Sequence, residues 1–82
     1  MEPLREKGCI VGTKQVLRAL AEDKLDCVYL ANDVDEALHL RLRTACEGRG
    51  VQIHPVLTMK ELGQACGIQV GAACAGIPVR HS

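Results

Sequence analysis

Four short, mostly apolar runs punctuate this chain, and between them apolar residues recur at steps of three and four. Cys9 to Val11, Cys27 to Ala31 and the small-residue stretch Ala72 to Ile77 are apolar, and Val51 to Val56, with Gln52 and His54 inside it, is the other segment of strand length. The helical period begins at Thr13 and runs to about Asp23, with Val16, Leu17, Leu20 and Lys24 on one side. It returns after Asn32 and Asp33, which offer an N-cap, through Val34, Ala37, Leu38, Leu42, Ala45 and Cys46, and Gly48 and Gly50 stop it. A third helix is the best specified. Thr58-Met59-Lys60-Glu61 is a capping box, Leu57 and Leu62 supply the matching staple, and Gly67 follows Cys66 as a left-handed end. Pro3 opens a further short helix over Glu2 to Lys7, ended by Gly8.

Strands alternating with helices over short connections predict an α/β protein, a three-layer α/β/α sandwich around a four-stranded mixed sheet. Pro55 cannot donate to a ladder, so its strand is expected at an edge. At 82 residues the chain is one domain, 1-82, burying roughly 60 to 65% of its unfolded surface.

Composition narrows the function. Tyr29 is the only aromatic residue, so the stacking platforms of RNA-recognition motifs and OB-folds are missing. Ten basic and ten acidic side chains cancel, so attraction to a polyanion must be local. Arg5, Lys7, Lys14 and Arg18 make the first quarter basic, opposed by Glu2 and Glu6, while Asp33, Asp35 and Glu36 cluster later. The two aspartates look like a carboxylate pair, but capping the second helix accounts for them better than acid–base chemistry. Five cysteines, odd in number and widely spaced, read as small buried hydrophobes in a reducing compartment. With His39, His54 and His81 they offer no ligand spacing, so no metal or other cofactor is expected, and no Cys-His pair marks a nucleophile. No run nears the roughly 20 apolar residues that span a bilayer, and no signal segment opens the chain; a cytoplasmic monomer that is not an enzyme is expected.

Two segments concentrate the remaining chemistry. Gly12-Thr13 form a strand-to-helix junction whose first amides favour an anion such as phosphate, with Lys14, Gln15 and Arg18 on the outward face behind them. A solvated helix face is the plainer reading of the same residues. Gly12-Thr13 do not complete a P-loop, since the G-x-x-x-x-G-K-[ST] spacing is absent. Ile68-Gln69-Val70-Gly71 place two aliphatic residues in a loop before the last strand. Open α/β sheets bind ligands near strand ends and helix starts.

Gly12-Thr13-Lys14-Gln15 with Arg18, Ala31-Asn32-Asp33, and Leu62-Gly63-Gln64-Ala65-Cys66-Gly67-Ile68-Gln69-Val70 together resemble the L7Ae/L30e family of kink-turn-binding ribosomal proteins, above all its small bacterial members. The resemblance runs from about Leu4 to Val79. It implies that Gly12, Thr13, Lys14, Gln15 and Arg18 read the groove beside tandem sheared G·A pairs, and that Ile68, Gln69 and Val70 cover a flipped-out base. The implied partner is a kink-turn-containing RNA, ribosomal or riboswitch-like, with the ribosome as context. Lys14 and Gln15 depart from the family's usual Asn and Glu, which bears on affinity and base preference. The alternative within the same fold is a ribosome-associated protein–protein module that docks through Ile68 and Val70.

Overall fold

The computed structural model describes Leu4 and residues 8–79. The expected helix over Glu2 to Lys7 and the tail Arg80 to Ser82 lie outside these, apart from Leu4, which is buried and whose amide donates to the Ala65 carbonyl at 2.7 Å. The elements run β1 (Ile10–Val11), α1 (Thr13–Ala21), β2 (Leu25–Ala31), α2 (Glu36–Arg49), β3 (Gln52–Val56), α3 (Met59–Ala65) and β4 (Cys74–Pro78).

The sheet order is β1-β4-β2-β3. β2 and β3 are parallel, whereas β4 runs antiparallel to both β1 and β2. The expected mixed four-stranded sheet is therefore present, and its mixture has one source: the last strand returns between two strands of the opposite sense. Strand residues alternate between two cores. Val28, Leu30 and Cys74 join Val16, Ala19 and Leu20 of α1 and Leu42 and Cys46 of α2 on one face. Ala31, Val56, Ala75 and Ile77 join Leu4, Leu62, Ala65 and Cys66 on the other, under α3. Three layers result.

β3 is an edge strand, as Pro55 requires. The Asn32 amide donates to the Val56 carbonyl at 2.8 Å, so residues 52, 54 and 56 turn their peptide groups toward β2. Those of Ile53 and Pro55 point outward. His54 is half-buried and its ring lies 5.0 Å from that of Tyr29, which makes it a packed strand histidine.

Several local expectations shift. Ala19, not Lys24, completes the buried stripe of α1; Lys24 lies beyond the helix, exposed and paired with Glu22 at 3.0 Å. The helix ends two residues short of Asp23 because Asp23 adopts φ 56°, and the Lys24 amide turns back onto the Ala19 carbonyl at 3.0 Å. Neither Asn32 nor Asp33 caps α2. Asp35 does, accepting from the Leu38 amide at 2.9 Å, while Asp33 reaches across to accept from the Met59 amide at 2.8 Å and ties the start of α3 to the β2–α2 loop. Gly48 continues α2, and Gly50, at φ 67°, ends it. β4 begins at Cys74 rather than Ala72, since the Ala72 amide is turned to the Met59 carbonyl at 3.0 Å.

At α3, Thr58 caps as expected, accepting from the Glu61 amide at 3.0 Å. The rest of that start does not form. Leu62 is fully buried but Leu57 is 74% exposed, so no staple joins them, and the Glu61 carboxylate makes no hydrogen bond back to Thr58. The C-terminal end closes as expected through Gly67 at φ 79°: its amide donates to the Gln64 carbonyl and that of Ile68 to the Gly63 carbonyl, both at 3.1 Å.

Candidate nucleic-acid interface

β1, β2 and β3 share one direction and β4 opposes them, so three strands end where the fourth begins. The Gly12-Thr13 junction, the Asn32 to Asp35 loop, the Leu57-Thr58 turn and the 67–73 loop therefore crowd a single rim of the sheet. Hydrogen bonds knit it: Gly12 N–H to the Cys74 carbonyl at 3.2 Å, Ala31 N–H to the Ala73 carbonyl at 2.9 Å, and Asn32 N–H to Val56.

Gly12 occupies φ 105°, ψ 147°, backbone that L side chains rarely adopt, and this lets β1 turn directly into α1. Gly12 offers no side chain to cap the helix, so the amides of Thr13, Lys14 and Gln15 are left without an intrahelical partner. Thr13 is half-buried, and its hydroxyl lies 4.0 Å from the Cys74 thiol, beneath the helix start. Lys14, Gln15 and Arg18 are exposed. Among the described residues neither cation makes an ion pair, so both charges stand available, Lys14 beside the unpaired amides and Arg18 in the last turn of α1. Gln15 folds back over the junction: a Cβ at Gly12 would lie 2.7 Å from its side-chain oxygen.

The second segment is held from below. Ile68 is half-buried, Gln69 exposed, and Val70 71% exposed. A Cβ at Gly63 would run into the Val70 carbonyl oxygen, and one at Gly71 would come within 3.1 Å of the Met59 Cβ. With the Ile68–Gly63 and Ala72–Met59 hydrogen bonds, the loop is fastened to α3 along its length and presents Val70 outward from a fixed base. The structure thus brings seven of the eight expected residues to one rim in two groups, joined through the start of β4, while Arg18 lies further along α1 in its last turn. Sequence reasoning missed the supports, Gly63 and Cys74. A glycine inside a helix was the available signal for the first; nothing distinguished the second among five cysteines.

The same environment silences two thiols. Burial pushes Cys74 up to about 11, with the Thr13 hydroxyl contact opposing, and burial followed by the hydrogen bond to Cys9 pushes Cys66 up to about 12. Burial, with Glu47 nearby, also raises Cys46. Among the described residues no group of three or more His, Cys, Asp or Glu is placed to hold a metal, and no helix is long and apolar enough to cross a membrane.

Comparisons with known proteins agree with this architecture. The model of the ribosomal protein L7Ae/L30e/S12e/Gadd45 family matches residues 2–81. An RNA-binding protein of Caldanaerobacter subterraneus is 47% identical over 66 residues, 80% of each chain. The large ribosomal subunit protein eL8 of Halobacterium salinarum is 32% identical over 79 residues, 94% of this chain and 66% of its own. The solved 15.5kD RNA binding protein of Giardia lamblia superposes with a TM-score of 0.85 at 26% identity, covering 94% of this chain and 68% of its own. With its β4 inserted antiparallel, its glycine-opened α1 and its fastened 67–73 loop, the chain belongs to the ribosomal protein L7Ae/L30e/S12e/Gadd45 family.

Proposed function

We propose that this protein is a non-enzymatic RNA-binding protein that recognises kink-turn RNA as a monomer in the cytoplasm, in a ribosomal or ribosome-associated setting. The α1 start reads the sheared G·A region: phosphate faces the free amides of Thr13 to Gln15, Lys14 and Arg18 neutralise the backbone, and Gln15 reads base edges with one acceptor and one donor group. Ile68, Gln69 and Val70 cover the flipped-out base. Recognition by shape, backbone and splayed bases needs no aromatic platform and no net positive charge, which suits a chain with one tyrosine and balanced charge.

The observation that carries this reading is the convergence of an uncapped, unpaired cationic helix start and an aliphatic loop fixed in advance on one rim. A preformed loop saves the ordering cost that a mobile one would incur on binding. The names of the relatives, RNA-binding and ribosomal, support the same class. The test is titration with a kink-turn RNA and with the same RNA whose sheared G·A pairs are replaced by Watson–Crick pairs. Clear preference for the first is expected; equal binding would leave the chain a protein–protein module of the same fold.

A further inference from the structure

On the flank of α3 opposite the 67–71 loop lies a hollow of about 270 Å³ lined by Tyr29, Pro55, Val56, Leu57 and Glu61. Two of its walls are side chains that forgo the local contacts their sequence positions favour. Leu57 stands where a staple to Leu62 would form, yet it is 74% exposed. Glu61 stands where a capping-box carboxylate would return to Thr58, yet among the described residues that carboxylate has no hydrogen bond or ion pair, although it is half-buried. Local rules broken together are expected at functional or strained sites. The third wall holds Tyr29, the chain's one aromatic ring, half-buried and backed by His54.

Resting on the kink-turn reading, we propose that this hollow takes a second unstacked nucleobase of the bound RNA, one bearing an exocyclic amino group. The apolar sides suit the face of a base, and the volume exceeds that of a purine. Glu61 accepts from the exocyclic amino group of adenine, guanine or cytosine; uracil has no amino group and offers only its ring N3–H, set between two carbonyl oxygens that repel a carboxylate. The hollow reaches the binding rim at Leu57, one residue before the cap of α3, with exposed Lys60 close by to meet the strand's phosphate.

Tyr29 makes the test direct, because its ring protons are the only tyrosine, phenylalanine or tryptophan signals in the spectrum. The full chain is titrated with two kink-turn RNAs that differ only in carrying unpaired adenosine or uridine beside the flipped-out base, and separately with AMP and UMP. The adenosine RNA is expected to shift the Tyr29 ring signals and to bind more tightly than the uridine RNA. Leu57→Ala should weaken the adenosine RNA about tenfold, in the range of a single stacked base. Glu61→Gln should erase the preference over uridine, and the Thr58 cap survives because it uses the Glu61 backbone amide. Leu57 is exposed and the half-buried Glu61 carboxylate has no partner among the described residues to lose, so melting should move by no more than a few degrees. Unmoved Tyr29 signals at saturating RNA, with discrimination against the RNA lacking sheared pairs intact, would overturn the second site alone. Shifts with AMP but not RNA would also overturn it, by assigning the hollow to free nucleotides. Loss of discrimination between kinked and unkinked RNA by wild type would overturn it together with the reading beneath it.

Discussion

Replacing Gly12 by alanine separates the backbone's demand at the α1 start from the side chain's. At φ 105°, ψ 147° the residue sits in a region almost reserved for glycine, and holding an alanine there costs on the order of 1 to 3 kcal/mol. The new Cβ would also lie 2.7 Å from the Gln15 side-chain oxygen, but that oxygen ends a flexible chain and can swing away at small cost. Backbone strain should therefore dominate stability, while displacement of Gln15 should dominate binding. In a domain of this size a loss of 1 kcal/mol lowers Tm by roughly 4 to 8 °C, so Gly12→Ala should melt at least about 4 °C below wild type. The same substitution in a Gln15→Ala background should cost nearly as much stability, since strain does not depend on the amide, yet should take little further affinity for kink-turn RNA. Thermal melts and titrations of the four proteins complete the cycle. If Gly12→Ala melted with wild type, or if its stability penalty vanished once Gln15 was removed, backbone strain would not be what reserves this position for glycine.

Leu62→Ala, at a fully buried site, should cost about 2 to 5 kcal/mol in denaturant melts, whereas Ile68→Ala, half-buried on a loop fastened through its backbone, should cost far less yet weaken RNA binding; equal destabilisation would make the loop merely core. On the proposed RNA reading Lys14, Arg18 and Lys60 meet two to three phosphates, so log affinity against log salt should fall with a slope of about −1.4 to −2.7; Arg18→Ala should reduce it by nearly one contact, and Gln15→Ala should leave it unchanged while costing about 1 to 3 kcal/mol. Alkaline unfolding should be visible by circular dichroism. The thiol values of Cys74 and Cys66 rise on folding, so the stability they contribute is complete below about pH 9 and is lost as pH climbs through about 11 and about 12; a flat profile over that range would mean that these thiols are not buried as described.

Pattern and caps together found the described helices and strands, because the buried faces of α1 and α2 repeat at helical spacing, a cap marks the start of α3, and residues 27–31 of β2 form an apolar run. They also placed Pro55 at an edge and Gly67 at a helix end, where single residues carry a hard steric meaning. What they could not assign were partners distant in sequence. Asp33 read as a cap for the helix just after it, but its bond goes to Met59, 26 residues on. Leu57 and Glu61 matched a local motif in composition, and only the packing of Leu62 against the sheet decided that the motif would be half made. The candidate site was legible as two separate segments; their meeting depended on β4 entering against its neighbours, and strand direction leaves no mark in composition.

The outward peptide groups of β3 have a bearing on the protein's life at high concentration. A sheet edge is a template, and a fibril or a mispaired dimer begins when a second strand reads its alternating donors and acceptors. On this edge the described outward positions are Ile53 and Pro55, and proline supplies no donor, so the template is broken after a single amide. The opposite border, β1, is only two residues long. Two borders that offer another strand so little to pair with lower the tendency of the chain to recruit copies of itself into insoluble assemblies.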